Sequence, residues 1–233
     1  ELKIKNQNLK VVNDSYKNLK DIVERENFSN INGILLDLGL SSWDFESSNR
    51  GFSFQKDEVL DMRFSQNQKL TAKEIVNKWS ESDLADILRD YGQERFAKNI
   101  ASNIIKIRKN QSIETTNQLV QVIGKSFPKS YKFGKAHFAT RTFQALRIAV
   151  NGELDNLKSV LPQAIDIIEK EGRLAVISFH SLEDAIVKKF FKEQEKINKI
   201  KIITKKPIIP TEKEIKNNPK SRSAKLRVVQ INN

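Results

Sequence analysis

The 233-residue chain has no cysteine, two histidines far apart in sequence, and few residues that break or bend the backbone: five prolines and eight glycines. Without cysteine there is no disulfide framework and no thiolate metal site, and the separated histidines argue against a dedicated zinc centre, so no metal is expected. A reducing, cytoplasmic setting is the corresponding expectation. No apolar run approaches the roughly 18–20 residues of a membrane span, so no membrane partner is expected either. Acidic residues are the last shortage: 29 Asp and Glu stand against 41 Lys and Arg, a net charge of +12.

That charge is unevenly distributed. Between Lys188 and Arg227, fourteen Lys or Arg stand against four Glu, interleaved with Ile and Phe. Such clustering is the electrostatic footprint of a polyanion, because each cation that neutralises a phosphate releases a counterion. On charge alone two readings stand, a nucleic-acid partner and a lysine-rich solvated surface.

The pattern of apolar residues predicts an α/β fold. Residues 10–14 read as a short strand, and residues 16–26 as a helix, with Tyr16, Leu19, Ile22 and Val23 on one face and Ser15 as N-cap. Residues 31–36 read as a strand whose short apolar run, Ile34-Leu35-Leu36, has the pattern of a strand buried on both faces and delivers Asp37 to a loop. Ligands of open α/β sheets lie outside the carboxyl ends of the strands, so Asp37 is the first candidate site residue. Residues 45–135 show helical periodicity and no convincing strand, with helix starts expected at Thr71, Ser82 and Thr115 or Thr116. From Ala139 the apolar positions step by three or four to Ile168, divided or kinked at Asn151-Gly152 and Pro162. A strand over 173–179, a helix capped by Ser181, and late strands at 200–204 and 225–231 complete the sheet.

Two segments carry chemistry. Ser178, His180 and Ser181 follow a strand, but no G-x-S-x-G elbow accompanies them, and Ser181 and Asp184 read better as helix-capping residues than as hydrolase groups. In Arg50-Gly51-Phe52-Ser53-Phe54, aromatic faces beside a guanidinium suit an unstacked base, and equally suit anchoring of the helical segment.

Seven segments, in order, resemble the bacterial 16S rRNA cytosine-N4 methyltransferase family: DLGLSS (37–42), RGFSF (50–54), LDMR (60–63), YGQERFAK (91–98), ATRTFQALRIAVN (139–151), ISFHSLED (177–184) and NPKSRSAKLRV (218–228). The resemblance implies a class I, Rossmann-like sheet dependent on S-adenosylmethionine and interrupted by a helical insertion domain. The implied layout is a methyltransferase part over 1–45, a substrate-recognition insertion over 46–135, and a second methyltransferase part with a basic end over 136–233. It implies methylation of the exocyclic N4 of a cytidine in the decoding region, with small-subunit rRNA or a ribosomal particle as partner. Asp37 and His180 become the expected catalytic residues. Tyr16, Asp37 and Asp44 become the expected cofactor contacts, although the family usually has Phe at the first of these positions and often Gln at the last. Arg50, Phe52, Arg63 and Arg141 become the expected RNA contacts.

One element of that family is missing from the sequence. A class I site requires a glycine-rich loop and an acid for the ribose hydroxyls, yet no glycine precedes residue 33 and no G-x-G occurs. The resemblance therefore implies an N-terminally truncated piece, lacking the first two strands, that binds cofactor weakly. The competing reading is a noncatalytic RNA-binding module.

Overall fold

A computed structural model describes residues 9–41, 48–128 and 137–232. In chain order the elements are a 3-10 turn (Tyr16–Asn18), α1 (Leu19–Arg25), β1 (Gly33–Asp37), α2 (Ala72–Lys78), α3 (Glu81–Asp90), α4 (Ala97–Arg108), α5 (Thr116–Gly124), α6 (Thr140–Asn151) and α7 (Glu153–Ile167). They continue with β2 (Arg173–Ser178), α8 (Ser181–Lys196), β3 (Ile200–Ile202), α9 (Glu212–Asn217), a 3-10 turn (Pro219–Ser223) and β4 (Lys225–Ile231). The chain divides into two compact units, one of Glu1–Gly39 with Leu154–Asn233 and one of Leu40–Glu153.

The first unit is built on a mixed sheet of order β1-β2-β4-β3. β1 and β2 are parallel, in register from Gly33 opposite Arg173 to Asp37 opposite Ile177, while β4 runs antiparallel to both of its neighbours. Alternate residues Leu174, Val176, Val229 and Ile231 point into a core shared with Leu157, Leu161 and Ile165 of α7 and Val187 and Phe191 of α8. Each such side chain contributes about 1.5–3 kcal/mol when buried, which fixes the sheet's strand ends in place. The continuous apolar run of β1 is covered on one face only: Leu36 is buried, whereas Leu35 is 62% exposed. No other described strand pairs with the outer edge of β1.

The strand expected over 10–14 does not form. A strand is stabilised by a ladder partner, none of the described residues supplies one, and Val11 is 72% exposed. The helix expected from Tyr16 begins instead as a 3-10 turn, and Ser15 caps it by position without a side-chain bond. The Asp14 carboxylate organises this start, accepting from Ser15 N at 2.7 Å and Asn18 Nδ2 at 2.9 Å.

The second unit is helical. Thr71 and Thr115 cap α2 and α5 as the sequence suggests, Thr115 in a reciprocal capping box with Gln118. The cap of α3 is Ser80 rather than Ser82: Ser80 Oγ accepts from Asp83 N at 3.1 Å, so the helix starts one residue before Ser82. Gly152 ends α6 in the left-handed conformation, while α7 runs through Pro162 without a break. Helix α6, grouped by sequence with the residues that follow it, packs here through Phe143, Leu146 and Val150 against Leu84, Leu88 and Ile75 of the helical core.

Candidate active site

The carboxyl end of the parallel pair gathers the polar side chains of the first unit. Asp37 ends β1 with its side chain exposed, and Leu38 N donates to Ile177 O at 3.0 Å, tying the following loop to β2. At Gly39 the chain turns with φ of +106°, and a Cβ there would lie 3.3 Å from the Phe179 ring. Only glycine holds that backbone without strain, so the surface beside Asp37 is left open down to the main chain.

His180 caps α8, displacing Ser181 from the role the sequence suggests. Its Nδ1 accepts from Glu183 N at 3.3 Å, while Glu183 Oε2 accepts from Phe179 N at 2.8 Å and His180 N at 3.3 Å. Because Nδ1 is the acceptor, the neutral ring carries its proton on Nε2. That nitrogen is buried 3.2 Å from Glu183 Oε1, out of line for a hydrogen bond. Glu183 is a positioning group whose only signal in the sequence is the H-x-x-E spacing.

Asp184 is held between two cations. Arg227 Nε lies 2.7 Å from its Oδ1 and Lys225 Nζ 3.5 Å from its Oδ2. Burial is the largest single influence and raises the carboxyl pKa, but the hydrogen bond and charge of Arg227, with Lys225, outweigh it and hold Asp184 below the ordinary aspartate range. Asp184 thereby joins α8 to β4 and steadies the loop that carries His180.

Tyr16 packs, partly buried, against the core of this same unit. Asp44 lies outside the described residues.

The side chains expected to contact RNA belong to the helical unit, and three of them are engaged in its folding. Arg50 donates from Nη1 to the carbonyls of Arg63 at 2.6 Å and Phe64 at 3.1 Å, and its guanidinium carbon lies 5.3 Å from the Phe52 ring centroid. Arg63 forms a two-pronged pair with Asp61 at 2.7 and 2.8 Å and donates to the carbonyls of Gln66 and Gln68. Phe52 is 4% exposed and stacks on Phe64, so in this structure its ring has no free face for a base. Gly51, with φ of +74°, makes this packing possible, since a Cβ there would lie 2.4 Å from Val59 O. Arg141 is the exposed member of the set, donating once, to Gln93 O at 3.1 Å.

An open sheet with helices packed against it, and with an acid, a positive-φ glycine and a helix-capping histidine at its strand ends, defines a protein of the α/β class. The profile of the MraW methylase family matches residues 1–232, and the chain belongs to that family. The mixed sheet and helices accord with its Rossmann-like methyltransferase fold.

The chain is similar to proteins named ribosomal RNA small subunit methyltransferase H. It is 46% identical to that of Persephonella marina over 221 residues, 95% of this chain and 75% of the relative. It is 48% identical to that of a Sulfurihydrogenibium species over 218 residues, covering 94% and 74%. With the Coprothermobacter proteolyticus protein it shares 48% identity over 221 residues, covering 95% and 73%. The chain thus spans about three quarters of the length of these relatives. No helix among the described residues is long and apolar enough to cross a membrane.

Proposed function

We propose that the protein transfers a methyl group from S-adenosylmethionine to the exocyclic N4 of a cytidine in the decoding region of small-subunit rRNA. The observation that carries this reading is the exposed Asp37 carboxylate at the end of a parallel strand, beside the open main chain of Gly39, in a chain of the MraW methylase family.

The residues present fit part of such a cofactor. A Cβ at Gly39 would crowd the Phe179 ring, so the glycine keeps a bare backbone surface for close approach. The negative charge of Asp37 complements the cationic groups of S-adenosylmethionine. When bound, the cofactor supplies a methyl group on a positively charged sulfur. Tyr16 adds an aromatic face on the resemblance alone.

The amine of cytosine is a poor nucleophile because its lone pair is delocalised into the ring. Positioning must therefore supply much of the acceleration, with the base out of its stack and the amine hydrogens facing acceptors. Asp37 accepts a hydrogen bond from the amine, which localises the lone pair for attack on the methyl carbon. With the cofactor bound, Asp37 or water would take the surplus amine proton that methyl transfer releases. His180, with Nδ1 taken up by the helix cap and Nε2 buried, acts by holding the loop after β2 rather than by exchanging a proton with the substrate. Arg141 offers a cation to phosphate, and Arg50, Phe52 and Arg63 act by shaping the segment they hold together.

Low activity of the 233-residue chain by itself belongs to the same reading: the outer edge of β1, with Leu35 exposed, leaves the strand carrying Asp37 braced on one side only among the described residues. The test is nucleoside mass spectrometry of small-subunit rRNA incubated with the full-length protein and S-adenosylmethionine. N4-methylcytidine is the expected product; methylation of another nucleoside, or none, contradicts the proposal.

A further inference from the structure

The first unit contains a cleft of about 270 Å³ that none of the expected site residues enters. Its walls are Lys188 and Lys192 of α8, Lys205 just after β3, and Arg227 of β4, with Phe191 and Ile202 as apolar lining. The other two lining residues are Thr204 and Glu195, the latter the only carboxylate.

The charges of this cleft are not balanced from within. Arg227 is committed to Asp184. Glu195 accepts from Ile202 N at 3.0 Å, which turns it toward the strand backbone. Lys188, Lys192 and Lys205 are exposed, and none has a carboxylate within ion-pair distance among the described residues, although Lys189 on the same helix pairs with Glu193. Three like charges around one concavity repel one another, and an entering anion relieves that repulsion. Lys188 and Lys192 are four residues apart, a rise of about 6 Å along the helix. That step is comparable with the separation of consecutive phosphates on one nucleic-acid strand, and Lys196 continues the row.

We propose that this cleft is a phosphodiester-binding subsite for one strand of the RNA substrate, with Lys188, Lys192 and Lys205 each neutralising a phosphate and Ile202 meeting the sugar edge. The proposal rests on the RNA-methylating function above and adds where the flanking strand is held. A lysine row over an apolar floor suits a repeating anion with apolar sugar faces better than an acidic peptide, whose carboxylates are unevenly spaced.

The test compares three forms of the full-length protein: unaltered; Lys188→Gln, Lys192→Gln, Lys205→Gln; and a charge-matched control, Lys170→Gln, Lys213→Gln, Lys216→Gln, at exposed positions outside the cleft. Binding to a small-subunit rRNA fragment is measured over a range of salt, with circular dichroism melting to establish folding. Three lost phosphate contacts flatten the slope of log affinity against log salt by about 2 and lower affinity on the order of 50-fold near 0.15 M salt, with a smaller change in the control. An unaltered slope in the cleft variant overturns the proposal, as does an equal loss in the control or a loss confined to acidic peptides. Methylation by the unaltered protein, scored separately, reports on the function reading, so failure of one is distinguishable from failure of the other.

Discussion

In the helical unit, Arg50, Arg63 and Arg147 have guanidinium donors bound by backbone carbonyls or by carboxylates of the same unit, the last two in two-pronged pairs with Asp61 and Glu153. In the sheet unit, Lys188, Lys192 and Lys205 surround a cleft with no ion-pair partner among the described residues. The difference follows from side-chain chemistry. A planar fork satisfies several fixed acceptors and suits a structural bracket, whereas a flexible ammonium holds a mobile, repeating anion without demanding one geometry. The bracketed arginines thus fasten the helical unit, whereas the cleft lysines hold their ammonium groups at the surface without an ion pair among the described residues.

If that contrast is right, changes in the helical unit damage stability first. Phe52→Ala is expected to cost about 3–5 kcal/mol, because a 4% exposed ring packed on Phe64 leaves a cavity. Chemical denaturation measures it, and a cost below 1 kcal/mol would return Phe52 to the surface as a candidate for base stacking. Arg147→Met is expected to destabilise by about 3 kcal/mol, since it leaves the buried carboxylate of Glu153 without its 2.8 and 2.9 Å partner. The same variant should leave the salt dependence of RNA binding unchanged. A flatter salt dependence without loss of stability would erase the distinction between the two sets of cations.

A smaller effect is shared by both units. Burial is the leading influence on Asp61 and Asp184 alike and raises each pKa, but the arginine paired with each prevails and leaves both below the ordinary aspartate value. Groups with a lowered folded pKa contribute stability that is complete above the unfolded pKa and is lost as pH falls through the folded one. Melting temperature should therefore be level down to about pH 5 and decline below about pH 4, and Asp61→Asn or Asp184→Asn should flatten that decline. An unchanged acid profile in both variants would remove these pairs from the account.

Much of the scaffold was legible in the sequence for reasons that remain visible in the structure. The run ending at Asp37 announced a strand because its apolar residues are consecutive, and Thr71 and Thr115 announced helices because a hydroxyl precedes an acceptor by three residues. Of the two threonines the sequence left open, Thr115 is the cap; where it pointed to Ser82 and Ser181, Ser80 and His180 stand instead, each accepting from the backbone N–H three residues on. Residues 10–14 have strand-like composition, but a strand requires a neighbour that local sequence cannot supply. The engagement of Arg50 and Arg63 was hidden for a related reason, since their acceptors are carbonyls whose direction depends on a loop held by Gly51 at positive φ. The cleft lysines were legible as charge but not as a site, because they come from a helix and from the segment after β3, which meet only in the fold.

The central claim is that chemistry resides at the end of β1 while the lysine cleft holds the strand. Asp37→Asn tests it directly, since the side chain is exposed and its amide keeps the shape while losing the charge. Single-turnover methylation of small-subunit rRNA by the full-length variant should slow by roughly 100-fold or more, with RNA affinity and its salt dependence unchanged. Methylation at the unaltered rate, or a loss explained entirely by weaker RNA binding, would contradict the account.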